Sequence, residues 1–304
     1  MSLLFTITTD GVKPSHLLGT MHFMNQKMSE LKPEVIEAIN NSDQVILESV
    51  VNPEEIFASF EEMFSAGVLK NGTLEDAIGD REIYRRTMRL LRKKGFPEFM
   101  AKKFKPWVCV LLLHDNLAAV SMYDMPQWVV MPQFGFSLQL IKGITGEMEA
   151  AAETVDLLVQ KHAKSKGKPV SSLENFGRFV SLFRDAPDSE ILELMATFTE
   201  DSPAGSSVVR ERIIAAYENG DLDEIGRLVD EMNQDVAQRD AASQNLFKNI
   251  GDRRTAGWMP RIEQYVRRGG AFIAVGAAHL VGDRRENGLL ALLRARGFEL
   301  TPIV

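Results

Sequence analysis

Cysteine is almost absent from this chain of 304 residues: Cys109 is the only one. A single cysteine allows no intrachain disulfide and excludes a thiolate-rich zinc site. It lies in the apolar run Trp107-Val108-Cys109-Val110-Leu111-Leu112-Leu113, where a buried structural thiol is expected rather than a nucleophile. An excess of positive charge is absent too. Lys and Arg number 35 against 42 Asp and Glu, a net charge of −7. That balance argues against nucleic acid or an anionic membrane as the main partner. One local cluster runs the other way, comprising Arg85, Arg86, Arg89, Arg92, Lys93, Lys94, Lys102, Lys103 and Lys105. It reads as a solvated helix face. Long hydrophobic runs are lacking as well: the longest, from Trp107 to Val120, is interrupted by His114, Asp115 and Asn116, too short and too polar to span a bilayer. The first residues, Met1-Ser2-Leu3-Leu4-Phe5-Thr6-Ile7-Thr8, alternate like a strand and carry no basic signal-peptide region. The expectation is a cytoplasmic protein with no membrane span and no nucleic-acid partner. No P-loop, His-Glu-x-x-His or Gly-x-Ser-x-Gly pattern occurs, and Gly276 to Gly282 lacks dinucleotide-loop spacing.

What the chain does have is a Gly-x-x-His signature near each end. One copy is Leu17-Leu18-Gly19-Thr20-Met21-His22, and the other Ala274-Val275-Gly276-Ala277-Ala278-His279. Each follows a short apolar run, and such runs ending in glycine read as buried strands leading into tight turns. Glycine there tolerates positive φ or admits close approach of another backbone. Each histidine then lies just past the carboxyl end of its strand, the edge at which open α/β sheets bind ligands.

Strand signals cluster at the two ends: Leu4 to Thr8, His16 to Leu18, Val45 to Leu47, Ala271 to Val275 and Phe298 to Ile303, with Pro169 to Leu173 in mid-chain. Three- and four-residue apolar spacing predicts helices over Pro53 to Ala66, Asp80 to Lys94, Pro106 to Val120 and Ala150 to Lys164. The same spacing predicts others over Glu190 to Thr197, Val208 to Glu218, Leu222 to Met232, Asp235 to Asn249, Arg253 to Arg268 and Arg284 to Arg296. Met122 to Pro132, rich in Met, Pro and aromatics, reads as loop packing or the wall of a cleft. The fold class that follows is α/β, a mixed or parallel central sheet built from both termini with a large, mainly helical insertion. Residues 1–52 and 251–304 form the two halves of the core, and 53–250 the insertion, which includes one core strand near 169–173.

Two glutamates also end strand-like runs, Glu48 after Val45-Ile46-Leu47 and Glu174 after Val170-Ser171-Ser172-Leu173. Two imidazoles with one or two carboxylates match the ligand set of zinc, manganese or non-haem iron, with a position open for water. His22, His279 and Glu48 are the expected metal ligands, and Glu174 a further ligand or general base. Arg253 opens the helix that precedes the second histidine strand and can stabilise a developing oxyanion. Each has a plainer reading, as a hydrogen-bonded strand-end histidine, a helix-capping glutamate or a surface arginine.

These residues resemble the TraB/GumN family of the Tiki-like superfamily. The likeness rests on both Gly-x-x-His segments, the acidic strand end at Glu48, Lys105-Pro106-Trp107, Gly167-Lys168-Pro169-Val170 with Leu173-Glu174, and Arg296-Gly297-Phe298. It implies an α/β core with a site made by His22, His279 and Glu48, to which Glu174 and Arg253 match less sharply. Tiki-like relatives are described as metal-dependent proteases. The expected activity is therefore a metal-dependent, peptidase-like hydrolase using a divalent ion (zinc, manganese or cobalt) on a peptide or small-molecule substrate. A metal-free esterase-like hydrolase with a histidine base, and a non-catalytic peptide or small-ligand binding protein, are the alternatives.

Overall fold

A computed structural model of the chain describes residues 3–21, 30–50, 63, 65–93, 95–113, 130–131, 136–137, 154–198, 207–237, 249–282 and 286–303. The strands are β1 (Leu4–Thr8), β2 (Ser15–Thr20), β3 (Gln44–Leu47), β4 (Val130–Met131), β5 (Phe136–Ser137), β6 (Val170–Ser172), β7 (Ala271–Gly276) and β8 (Glu299–Pro302). Six of them form one sheet in the order β6-β3-β7-β2-β1-β8, while β4 and β5 pair with each other. β7 lies parallel to β2 and to β3, β3 parallel to β6, and β1 antiparallel to both β2 and β8. The sheet is thus mixed and drawn from both termini, as the strand signals imply.

Alternation along the strands feeds two cores. On one face Ile273 and Val275 of β7, with Leu17 and Ile46, pack against Trp258, Met259, Ile262 and Val266 of the helix Arg254–Arg268 and against Leu289 and Leu293 of Leu289–Arg294. On the other face Phe272 and Ala274, with Leu18, Val45 and Leu47, meet Val35 and Ile39 of the helix Pro33–Asn41 and Val159 and Ala163 of Val155–Ser165. β7 is covered on both sides, and all six of its residues are buried. That explains why it reads as an unbroken apolar run rather than an alternating one.

The chain divides into two units. One comprises Met1–Val51, Ala152–Asn175 and Ser207–Val304; the other comprises Asn52–Ala151 and Phe176–Ser206. The sheet-bearing unit takes in more of the middle of the chain than the 53–250 insertion boundary assigns to it. In the second unit the helices Pro106–Leu113, Phe176–Arg184 and Asp188–Thr197 contribute buried apolar side chains, with Cys109 fully buried among them. Burial raises the pKa of that thiol, so Cys109 is a packing residue. Of the expected elements, Pro53 to Ala66 lies outside the described residues but for Met63, Ser65 and Ala66, and Met122 to Pro132 but for Val130 and Met131. Among the described residues, no helix is long and apolar enough to cross a membrane.

Candidate functional site

The four parallel strands β6, β3, β7 and β2 end on one edge of the sheet, and the polar residues that follow three of them meet there. β2 and β7 are direct neighbours, with Gly19 opposite Val275 and Thr20 opposite Gly276. The two Gly-x-x-His segments therefore start side by side. Gly19 has a specific reason to be glycine: a Cβ there would lie 2.7 Å from Leu280 Cδ1 and 3.3 Å from Ala277 Cα. The first motif thus admits the helix Ala277–Val281, which carries the second motif's histidine. Close approach is the cause, since Gly19 and Gly276 do not have positive φ. His22 itself lies outside the described residues. The chain leading to it is held at Gly19 by the Tyr217 hydroxyl, which donates to the Gly19 carbonyl at 2.9 Å, and at Thr20, whose Oγ1 donates to Asp156 Oδ1 at 2.8 Å.

Glu48 and Glu174 are brought together by the β3–β6 pairing. The ladder runs one step past the strands, with Leu173 N–H donating to Leu47 O at 2.8 Å and Glu174 N–H to Glu48 O at 3.1 Å. Between the two carboxylates sits a guanidinium, that of Arg254. Its Nη2 donates to Glu48 Oε1 at 2.5 Å, its Nε donates to Glu174 Oε1 at 3.0 Å, and Nη2 also reaches Glu174 Oε1. Trp258 Nε1 donates to Glu174 Oε2 at 3.1 Å, so both oxygens of Glu174 are engaged. Glu48 Oε2 accepts the Gly276 N–H at 3.0 Å and lies 3.9 Å from His279 Nε2. Side-chain exposure is 7% for Arg254, 3% for Glu174 and 12% each for Glu48 and His279. Burial works against the Arg254 charge, but Glu48 and Glu174 outweigh it and hold the guanidinium pKa above its ordinary value.

The ring of His279 is fixed from the other side. Thr255 Oγ1 donates to Gly251 O at 3.0 Å and lies 2.7 Å from His279 Nδ1. A threonine hydroxyl carries one proton. With that proton on the Gly251 carbonyl, the 2.7 Å contact requires Nδ1 to be the donor. Nε2 then lies on the side of the Glu48 carboxylate. Trp258 packs on the same ring, with centroids 4.6 Å apart.

Arg253 stands elsewhere. It ends the π-helical turn Asn249–Arg253 and is exposed, while the next residue, Arg254, turns inward. The sequence carried a signal for this: the buried stripe Trp258, Met259, Ile262 and Val266, stepped back by four, reaches Arg254 and Thr255 and not Arg253. Thr255 and Trp258 are the other two site residues that motif reading missed. Among the described residues no group of three or more His, Cys, Asp or Glu is arranged to hold a metal ion.

A mixed α/β sheet with a buried acid and guanidinium and a partly buried imidazole at its carboxyl edge defines the class. The chain belongs to the TraB/PrgY/gumN family, whose model matches residues 3–302. It is similar to the uncharacterized protein YbaP of Shigella flexneri, at 20% identity over 91% of this chain and 88% of the relative. It is also similar to YbaP of Escherichia coli strain K12, at 19% identity with the same coverage. No solved structure matches the chain.

Proposed function

We propose that the chain is a hydrolase, peptidase-like, whose reactive water is activated where His279 Nε2 and Glu48 Oε2 face each other. The observation that supports it is the Thr255 Oγ1 contact to His279 Nδ1 at 2.7 Å, which leaves Nε2 on the side of that carboxylate, 3.9 Å away. The donor types fit a divalent metal ion (zinc, manganese or cobalt): His279 and Glu48 would hold it with His22, and all three donors are nitrogen or oxygen. The charge also fits, since two carboxylates share one guanidinium, so those three side chains together carry one net negative charge. Such an ion lowers the pKa of a bound water to about 7 and polarises a substrate carbonyl.

The chain's own residues do the rest. Thr255 keeps the proton on Nδ1, so that Nε2 stays the basic nitrogen. Arg254 and the Gly276 N–H hold Glu48 in one orientation. Glu174, with both oxygens bonded, anchors Arg254 and is assigned a positioning role in place of ligand or general base. Arg254 replaces Arg253 as the guanidinium of the site, and its role is to fix the carboxylates.

The test pairs metal analysis of the purified protein with hydrolysis of casein and p-nitrophenyl esters by the parent, His22→Ala and His279→Ala. We expect bound metal and turnover in the parent and loss of both in each variant. Full retention of metal and activity by both variants overturns the reading. Turnover that survives exhaustive chelation moves the chemistry to His279 as a general base without metal, and saturable binding without turnover makes the chain a binding protein.

A further inference from the structure

Residues 81–105, in the unit that lacks the six-stranded sheet, hold ten Lys and Arg against two acidic residues, in a chain whose net charge is −7. The helix Arg81–Lys93 turns Arg81, Arg85, Arg89, Arg92 and Lys93 to solvent and buries Thr87 and Leu91. Arg81 and Arg85, Arg85 and Arg89, and Arg89 and Lys93 are like charges four residues apart, a spacing that destabilises a helix. A face serving only solubility would mix the two signs and avoid that cost. The arginines also border a concavity. Arg85, Arg89, Arg92, Tyr84, Met88 and Glu98 line a groove of about 260 Å³. One residue on from Glu98, Phe99 is 48% exposed, the one exposed large apolar side chain among the described residues.

We propose that this groove is a docking site for an acidic peptide segment of a partner protein, with an apolar side chain of the segment seated on Tyr84 and Met88. Its carboxylates meet Arg85, Arg89 and Arg92, whose planar guanidinium groups bind carboxylates in bidentate fashion. Concavity and charge together select this occupant. A membrane surface needs an apolar face to insert, and among the described residues Phe99 is alone in offering one. A nucleic-acid backbone extends beyond the groove, where the rest of the chain carries 25 Lys and Arg against 40 acidic residues and repels it, whereas a short peptide stays within the groove. The proposal is independent of the hydrolase reading, since it uses no residue of the His279 site.

The test uses the whole protein and a fluorescein-labelled peptide in which Glu pairs alternate with Leu, followed by anisotropy. We expect saturable binding that weakens as salt is raised. The triple variant Arg85→Gln, Arg89→Gln, Arg92→Gln should bind at least about tenfold more weakly. That variant should stay folded by circular dichroism. A second variant, Lys164→Gln with Lys166→Gln, removes charge from the other unit and should bind as the parent does. Unchanged affinity in the triple variant overturns the proposal. So does tighter binding to phosphatidylserine vesicles or to a duplex oligonucleotide than to the peptide.

Discussion

Replacing Arg254 with Met tests the buried network most sharply. Methionine occupies much of the same space but leaves Glu48 and Glu174, 12% and 3% exposed, without their shared cation. Removing one member of a buried ion pair costs about 3–5 kcal/mol, because the remaining charge is uncompensated. Two carboxylates lose their partner here, which favours the upper half of that range. The Trp258 and Gly276 N–H contacts, at 3.1 and 3.0 Å, survive and offset part of the loss. We expect a net cost of about 4 kcal/mol, set by the buried-pair range and large beside a typical total stability of about 5–15 kcal/mol. Urea unfolding followed by Trp258 fluorescence, with Trp107 and Trp128 replaced by Phe, reads this for the sheet-bearing unit. Adding Glu48→Gln and Glu174→Gln neutralises the set and should recover most of the loss, to within about 1–2 kcal/mol of the parent. A cost below about 1 kcal/mol for Arg254→Met, the range of a surface pair, would refute the reasoning.

Thr255→Val removes the group that sets the His279 tautomer. Nitrogen-15 NMR of the imidazole should show the Nδ1–H form giving way to a mixture, turnover should fall about 10–100-fold, and Thr255→Ser should restore both. Gly19→Ala places a methyl 2.7 Å from Leu280 Cδ1 and should cost about 1–3 kcal/mol by overpacking, read as a lowered Tm. His16, on β2, has its pKa lowered by burial and then by Lys13, and its Nδ1 is buried with no hydrogen-bond partner among the described residues. Folded His16 therefore takes up its proton at a lower pH than the unfolded chain. Stability should fall as pH drops from 6.5 through the folded value, and His16→Val should flatten that part of the Tm-against-pH curve.

Much of this architecture could be read from residue patterns. β7 is apolar at every position because helices cover both of its faces, and β1 alternates because Phe5 and Ile7 enter one core while Thr6 and Thr8 stay partly exposed. Glu48 and Glu174 stood out because each directly follows a short apolar run, which is also what places them at a strand end. Arg254, not Arg253, shares a helix face with Trp258, as the spacing of the buried stripe shows, but a π-helical turn ending at Arg253 precedes it and Arg253 alone reads as the helix start. The helix Pro33–Asn41 gave too little signal, since its buried stripe is only Val35, Ala38 and Ile39. The short helix Ala277–Val281 was masked because Gly276 reads as a turn, although it begins that helix. Thr255 carried no sequence signal for its role, which depends on Gly251 and His279 meeting it in space.

The account turns on a shared focus for His22, His279 and Glu48. A crystal structure of zinc-loaded protein, with anomalous data collected across the zinc absorption edge, examines that directly. The account predicts one anomalous peak at about 2.0–2.1 Å from a nitrogen of each ring and beside the Glu48 carboxylate. Two imidazoles turned into separate surroundings, with no peak between them, would contradict it.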